Sequence, residues 1–247
     1  MTLRDELEKT GGWLFKWRSY LPLIILPILL VALRESEYLE RIVGDFTEDL
    51  FEGMCVTIAF IGLSIRCIVV GYAPKATSGR NTKGQKAETL NTTGMYSIVR
   101  HPLYLGNFFI FLGIVLFTEV WWFVLISILA FWLYYERIML AEEKFLQEKF
   151  CGTFLEWSEK TPAFIPKFRN WQPATLAFSL KNVLKREYTG LFIIIASFAF
   201  IETSGEILTE GGLNDSFWPM SFVAGLVIYI TLRTLKRKTR ILDVEGI

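Results

Sequence analysis

Hydrophobic residues are concentrated in long blocks rather than spread evenly along the chain. Five blocks are plain and a sixth follows near the C-terminal end; together they occupy residues 21–33, 56–70, 103–117, 120–133, 191–201 and 217–232. Several approach the roughly 20 residues that an α-helix needs to cross about 30 Å of hydrocarbon. The pattern therefore predicts an all-α fold, a polytopic transmembrane helical bundle of about six spans.

The first block differs from the others because it is short and contains Pro22 and Pro27. Proline removes a backbone donor and bends or ends a helix. The block is therefore either a tilted or kinked span or a re-entrant segment. Residues 1–12 carry Asp5, Glu6 and Glu8 and lack an apolar stretch, which argues against a cleavable signal peptide. We expect the first block to be retained in the protein.

The positive charges test this topology independently. With six spans, 23 of the 26 Lys and Arg residues fall on one side of the membrane, Arg34 and Arg41 fall on the other, and Arg66 lies within the second span. The positive-inside rule assigns the basic side to the cytoplasm. We therefore expect both termini to be cytoplasmic, together with the polar segments that follow the second and fourth spans.

Composition narrows the possible functions. The chain has 247 residues, of which 52% are hydrophobic, and a formal net charge of +1. A net charge so close to zero argues against a nucleic-acid partner. Cys55, Cys67 and Cys151 show no pairing pattern, so we expect no disulfide on the reducing side of the membrane.

The chain divides into three zones. Residues 1–72 hold an amphipathic entry helix and two spans, residues 73–170 hold a polar loop, a tight hairpin of spans and a second polar segment, and residues 171–247 hold a further hairpin and a basic tail. The loop at 73–93 is rich in residues that favour turns and side-chain hydrogen bonds to the backbone. It is either an ordered polar lid or a solvated connector.

A short motif at 94–106 contains the only histidine in the chain, His101, followed by Pro102. Proline restricts the residue before it and is tolerated in the first turn of a helix. His101 is therefore expected just before the third span, with Arg100 and Tyr104 about one turn away. The alternative is an Arg that snorkels to the membrane surface beside an interfacial Tyr.

Glu142 and Glu143 follow the fourth span on a predicted continuation of its helix. Adjacent carboxylates most often form a solvated helix face, but the hairpin returns this pair to the membrane side that carries Arg100 and His101. The aromatic residues and prolines of 150–166 then predict a short helix and a turn along the membrane surface.

The order and spacing of these motifs resemble the isoprenylcysteine carboxyl methyltransferases and the wider group that includes phospholipid methyltransferases. The shared pattern is Arg-His-Pro-x-Tyr-x-Gly, a hairpin, Glu-Glu-x-x-Leu and a Pro-x-x-Ile-Pro ending, and it covers residues 94–166. The chain departs from the family at Cys151, where glycine is usual, and at Phe154 and Trp157, which replace tyrosines. The Arg that often precedes the Glu pair is represented here only by Arg137, a turn further back.

The resemblance implies a site for S-adenosyl-L-methionine that opens to the cytoplasm, with no metal. His101, Tyr104, Glu142 and Glu143 would contact this cofactor, and Arg100, His101 and Glu143 are the candidate catalytic residues. Arg66, Arg80 and Arg100 are candidates for binding the substrate. Of these, Arg66 lies inside a span, where an Arg usually has a partner or snorkels. The expected partners are the lipid bilayer and a membrane lipid or lipidated acceptor.

Methyl transfer suits such a sparse site, because alignment and exclusion of water supply most of the acceleration. A carboxylate or phosphate acceptor, as in a prenylated cysteine or lipid A, is already ionised, whereas an amine headgroup would need a general base, His101 or a Glu. The competing hypotheses are an NADPH-dependent sterol-type reductase, which has a similar Arg-His-Pro-x-Tyr segment, and a non-catalytic membrane scaffold. The reductase pattern differs at Leu103 and Asn107.

Overall fold

A computed structural model describes residues 2–18, 24–35, 45–73, 87–209, 211–212 and 216–243. These residues form eight α-helices, and Phe168–Asn170 form a 3-10 turn. In chain order the helices are α1 (Leu3–Trp17), α2 (Leu26–Ala32), α3 (Asp45–Gly71), α4 (Met95–Ile98), α5 (Pro102–Leu116), α6 (Trp121–Lys160), α7 (Leu180–Thr209) and α8 (Phe217–Lys238). The predicted all-α class is confirmed for the described part of the chain.

Four helices are long and apolar enough to cross a membrane, namely α3, α6, α7 and α8. The helix α5 is also apolar but has only 15 residues, so it is about 22 Å long at a rise of about 1.5 Å per residue. The prediction of about six spans is therefore corrected to four long helices and one shorter helix among the described residues. In the first block, the described residues contain only the seven-residue helix α2, whose first turn includes Pro27.

The segments on either side of the first block contact α6 at different levels. The Tyr134 hydroxyl donates to the carbonyl of Leu14 at the end of α1 (3.3 Å). The Trp122 indole donates to the carboxylate of Glu35 just after α2 (2.7 Å). Tyr134 and Trp122 are separated by about 18 Å along a helix, so the chain advances along much of the apolar part of α6 between these two contacts.

Glycine allows the backbones of α3 and α5 to approach closely. A Cβ atom at Gly62 would lie 2.5 Å from the Gly106 carbonyl oxygen, and a Cβ atom at Gly113 would lie 2.5 Å from the Cys55 carbonyl oxygen. Small residues at helix crossings are a common basis of association in membranes, where van der Waals packing replaces the hydrophobic effect. This crossing fixes α5, and with it the start of the candidate site, against α3.

The C-terminal hairpin also packs on α3. The side chain of Asn182 in α7 donates to the Val70 carbonyl at the end of α3 (2.8 Å). A buried cluster continues this contact along α3 and α7; it comprises Leu33, Cys55, Ala59, Leu63, Phe117, Ile194, Phe198 and Ile201. The helix α8 packs mainly on α7, where Tyr229 stacks on Phe192 with a centroid distance of 4.8 Å.

The long helix α6 is broken at Cys151, whose backbone has φ 46° and ψ −119°. This region of conformational space is nearly reserved for glycine. Resemblance to the methyltransferase pattern indicated glycine at this position, and the backbone explains that preference. The break redirects the residues that follow, up to Lys160, across the candidate site.

Substitution of Gly62 by Ala tests the crossing of α3 and α5. We expect the added methyl group to separate the helices and lower the free energy of unfolding by about 1–3 kcal/mol, measured as a fall in the thermal unfolding midpoint in detergent. Gly53→Ala is the matched control, because Gly53 lies on the same helix with nothing within 4 Å of its Cβ position. Equal midpoints for the two variants would contradict the proposed packing.

The strain at Cys151 gives a second stability prediction. Cys151→Gly should raise the free energy of unfolding by about 1 kcal/mol, since a non-glycine residue in such a conformation costs roughly 1–3 kcal/mol. Cys151→Ala removes the thiol but keeps the strain, so its unfolding midpoint should match that of the wild type. If Ala and Gly stabilise equally, loss of the thiol rather than relief of strain is the cause.

Candidate active site

The helix α4 and the turn after it fix the position of His101. Gly94 precedes α4 with φ 60° and ψ −133°, a conformation that glycine adopts readily. Ser97 Oγ donates to the Gly94 carbonyl (2.7 Å) and closes this turn. His101 is then the N-cap residue of α5, and Pro102 occupies the first turn, where a missing N–H group is tolerated. The imidazole is thus held at the entrance of an apolar helix.

The segment after α6 is bound to this turn through its backbone. The N–H groups of Arg100 and His101 donate to the carbonyls of Pro162 (2.9 Å) and Ala163 (3.2 Å). The Lys167 N–H group donates to the carbonyl of Ile98 (2.9 Å). The two parts of the sequence pattern that lie furthest apart, the Arg-His-Pro motif and the Ile-Pro ending, therefore form one continuous surface.

An aromatic contact strengthens this junction. The Trp157 indole donates to the Tyr96 carbonyl (3.0 Å), so the tryptophan that replaces a family tyrosine still reaches the short helix α4. Burial raises the pKa of the Tyr96 phenol, and the nearby charge of Glu142 raises it further. Tyr96 therefore stays neutral near neutral pH and serves as a packing element beside the carboxylates.

Two neighbouring carboxylates converge on the only histidine. His101 Nε2 lies 2.9 Å from Glu143 Oε1, and His101 Nδ1 lies 3.8 Å from Glu142 Oε2. Arg100 Nη1 donates to the other oxygen of Glu143 (3.0 Å). The His101 side chain is only 5% exposed, whereas Glu142 and Glu143 are 33% and 24% exposed. A buried imidazole thus lies beneath carboxylates that a ligand can reach.

Arg100 retains one buried donor. Its Nε atom is inaccessible to solvent and has no hydrogen-bond partner among the described residues. An unsatisfied buried donor costs about 1–3 kcal/mol. The guanidinium therefore presents a donor that an oxygen of a bound ligand would satisfy, while the Nη1 atom remains bonded to Glu143.

Aromatic rings extend the cluster toward the membrane interior. The His101 and Tyr104 rings stack with centroids 5.6 Å apart, and the Tyr104 and Tyr135 rings lie 5.0 Å apart. Sequence reasoning did not identify Tyr135, although it precedes Glu142 by two helical turns and therefore shares a face of α6 with it.

Arg66, expected to bind the substrate, is engaged by protein groups. Its Nε and Nη2 atoms donate to the two carboxylate oxygens of Glu187 (2.8 and 2.9 Å), and its Nη1 atom donates to Asn107 Oδ1. Asn107 follows Tyr104 by three residues and so shares its helix face, which is a signal that sequence reasoning passed over. Glu187 carried no comparable signal, because its role depends on a contact between distant helices.

The predicted site residues thus fall into three groups. One group lies together and comprises Arg100, His101, Tyr104, Glu142 and Glu143. Arg66, on α3, is separate from this group and connects to it through other side chains. Arg80 lies outside the described residues. Within those residues, no group of three or more His, Cys, Asp or Glu side chains could hold a metal ion.

The amphipathic helix α1 lies along α6 at the level of the site. Gly11 contacts the Arg137 backbone so closely that a Cβ atom at Gly11 would overlap its carbonyl oxygen. Glu8 forms an ion pair with Lys144, the residue after the Glu pair. The sequence predicted this helix but not its docking, which makes α1 a support for the part of α6 that carries Glu142 and Glu143.

Comparison with known proteins covers the same region. Residues 54–152 match the phospholipid methyltransferase family. The cobalt-zinc-cadmium resistance protein CzcN of Cupriavidus metallidurans is 29% identical over 158 residues, which is 62% of this chain and 70% of that protein. No solved structure shows significant similarity to the chain.

Two enzymes match a shorter segment. The protein-S-isoprenylcysteine O-methyltransferases of Saccharomyces cerevisiae and Schizosaccharomyces pombe are 34% and 31% identical over 85 residues, which is 34% of this chain and 36% of each enzyme. The chain thus spans about a third of the length of these enzymes. The resemblance seen in the sequence motifs is confirmed, because residues 54–152 match the phospholipid methyltransferase family. The two yeast enzymes that match this chain also support a membrane methyltransferase.

Proposed function

We propose that this protein is an integral membrane methyltransferase that uses S-adenosyl-L-methionine and methylates a membrane-embedded lipid or lipidated acceptor. The observation that carries the proposal is the convergence of Glu142 and Glu143 on the buried His101, beside the unsatisfied Nε atom of Arg100. These groups lie at the start of the apolar helix α5 and beyond the apolar part of α6, and they come from the motifs that the methyltransferase pattern shares.

The residues present fit the chemical groups of this cofactor. S-adenosyl-L-methionine carries a sulfonium, an ammonium, a carboxylate and a purine. The partly exposed carboxylates of Glu142 and Glu143 suit its cationic groups. The Arg100 Nε atom suits its carboxylate, and the Tyr104 and Tyr135 rings suit a cation or a flat base. When bound, it supplies an activated methyl group for an in-line displacement.

The protein's own groups are suited to alignment rather than to covalent catalysis. Arg100 is held by Glu143 and by its backbone bond to Pro162, so a ligand on its Nε atom would be fixed in orientation. The stacked rings of His101 and Tyr104 exclude water from one side of the cluster. Fixing two reactants in this way is worth up to several kcal/mol of the barrier. A carboxylate or phosphate acceptor needs no proton transfer, and we favour such an anionic oxygen.

Exposed aromatic residues support a membrane-embedded acceptor. Ile165, Phe168 and Trp171 are 79%, 75% and 50% exposed on the segment that is hydrogen-bonded to Arg100 and His101. Large apolar and aromatic side chains of this kind anchor a protein at the membrane interface. They would hold the site at the level where lipid headgroups begin, and the distribution of Lys and Arg supports the cytoplasmic leaflet.

The alternative reductase activity is less well supported. Its sequence pattern differs from this chain at Leu103 and Asn107. The matched family is one of methyltransferases, and the carboxylate pair around His101 suits a cationic cofactor better than the anionic phosphates of NADPH.

Calorimetry on the purified protein tests the cofactor assignment. We expect S-adenosylhomocysteine and S-adenosylmethionine to bind, and His101→Ala, Glu142→Gln and Glu143→Gln each to weaken binding by about 10- to 150-fold, since hydrogen bonds to charged groups are worth about 1.5–3 kcal/mol. Glu136→Gln is the matched control, because Glu136 is exposed on the same helix.

Two outcomes would contradict this proposal in different ways. Binding of NADPH without binding of either S-adenosyl compound would replace the methyltransferase with the reductase. Binding that survives all three substitutions would leave the activity standing but move the site elsewhere. Mass spectrometry identifies the acceptor when membrane lipids from cells with and without the protein are compared. The methylated lipid is heavier than its precursor by the mass of one methylene group.

A further inference from the structure

A line of polar contacts connects the C-terminal hairpin with the candidate site. It starts at Glu187 in α7, whose side chain is 5% exposed and holds Arg66 of α3 through two hydrogen bonds of 2.8 and 2.9 Å. A planar guanidinium bound at both Nε and Nη2 cannot rotate. Its remaining Nη1 atom is therefore directed at one fixed point, which is Asn107 Oδ1 on α5.

The orientation of the Asn107 amide follows from this contact. Because Arg66 can only donate, the amide oxygen faces Arg66 and the amide nitrogen faces away from it. The Nδ2 atom accordingly donates to the Tyr135 hydroxyl on α6 at 3.3 Å. Each group in the line thus has one hydrogen-bonding role, and the line reaches α6 from α7 through α3 and α5.

Ring contacts complete the connection. The Tyr135 ring lies 5.0 Å from the Tyr104 ring, and Tyr104 stacks on His101, which contacts both carboxylates. The position of Tyr135 therefore bears on the rings and carboxylates assigned to the cofactor. Glu187 lies outside the segment that matches the methyltransferase family, which ends at residue 152.

The glycine of the shared Arg-His-Pro-x-Tyr-x-Gly pattern makes room for this line. A Cβ atom at Gly106 would lie 2.6 Å from Arg66 Cγ and 2.8 Å from the Gly62 carbonyl oxygen. A larger residue would push the Arg66 stem away from Asn107, the residue that follows Gly106. The close crossing of α3 and α5 and the polar line therefore depend on the same glycine.

We propose that Glu187, Arg66 and Asn107 are positioning residues that hold Tyr135 and Tyr104 in the geometry needed to bind the methyl donor, so that the C-terminal hairpin sets the affinity of the site. This inference rests on the proposed function, because it assigns the cofactor to the His101 cluster. It assigns Arg66 a role within the protein instead of a direct contact with substrate.

The Asn107–Tyr135 link can be cut without disturbing the ion pair of Arg66 and Glu187. Asn107→Leu preserves the approximate size of the side chain but removes both hydrogen bonds, and Tyr135→Phe removes only the hydroxyl. We expect each variant to raise the Kd for S-adenosylhomocysteine, measured by calorimetry, by about tenfold. Asp243→Asn is the control, since it breaks the exposed ion pair with Lys185 on the same helix as Glu187.

The double variant distinguishes a link from two separate effects. If Asn107 and Tyr135 act through one hydrogen bond, the variant carrying both substitutions should bind about as weakly as either single variant, whereas independent effects would multiply to about 100-fold. Multiplied losses would overturn the proposal. Asp243→Asn should bind S-adenosylhomocysteine as tightly as the wild type, and a similar loss in this control would equally overturn the proposal.

Asn107→Asp separates positioning from packing. A carboxylate at this position accepts from Arg66 and from the Tyr135 hydroxyl, so it restores the line with one hydrogen bond reversed. We expect its Kd to stay within about threefold of the wild type. A purely structural role in an apolar environment would instead favour Asn107→Leu over Asn107→Asp, and that ranking would contradict the proposal.

Failure of this inference is distinguishable from failure of the proposed function. If the wild-type protein binds neither S-adenosylmethionine nor S-adenosylhomocysteine, the proposed function is wrong, and the inference falls with it. If the wild type binds but Asn107→Leu and Tyr135→Phe bind equally well, the function stands and the positioning role is wrong. Thermal unfolding midpoints of all variants identify any substitution that acts by destabilising the protein.

Discussion

The close crossing of α3 and α5 is the contact on which the candidate site depends. Gly62, Gly106 and Gly113 allow the two backbones to meet almost without intervening side chains. This approach fixes the start of α5, where His101 and Tyr104 lie, and it brings Arg66 within reach of Asn107. A membrane offers little hydrophobic driving force for such an association, so shape complementarity at these glycines is essential.

Each cation of the site is paired with a carboxylate of the protein. Arg100 is bonded to Glu143, and Arg66 is bonded to Glu187. Pairing lowers the energetic penalty of placing cations near hydrocarbon. It also means that, under the proposed function, the carboxylate of the cofactor must compete with Glu143 for Arg100 or use the Nε atom that the protein leaves unsatisfied. Selectivity would then come from the direction of a single donor rather than from a surplus of positive charge.

Much of this arrangement could be predicted from the sequence, because several of its signals are local. The apolar blocks indicated the helices, and the hairpin of α5 and α6 brought Glu142 and Glu143 back to Arg100 and His101 as their spacing implied. Six spans were expected, whereas the described residues show four helices long enough to span, because α5 is no longer than its apolar block and α2 has seven residues.

The remaining site features depend on contacts between residues that are far apart in sequence. Tyr135 and Asn107 share helix faces with residues that were identified, so a stricter use of helical periodicity would have found them. Glu187 could not be found in this way, because only the packing of α7 on α3 brings it to Arg66. The left-handed backbone at Cys151 was equally hidden, although the family preference for glycine at that position pointed toward it.

The short length of α5 has a consequence for the surrounding lipid. A helix of 15 residues falls several ångströms short of the hydrocarbon thickness of an ordinary bilayer. Such hydrophobic mismatch is relieved when the bilayer thins locally or when the polar end of the helix is drawn inward. Either adjustment brings His101, at the N-terminal end of α5, closer to the depth at which lipid headgroups join their acyl chains. Distortion of the membrane by the protein would then shorten the distance that a lipid acceptor has to travel to reach the site.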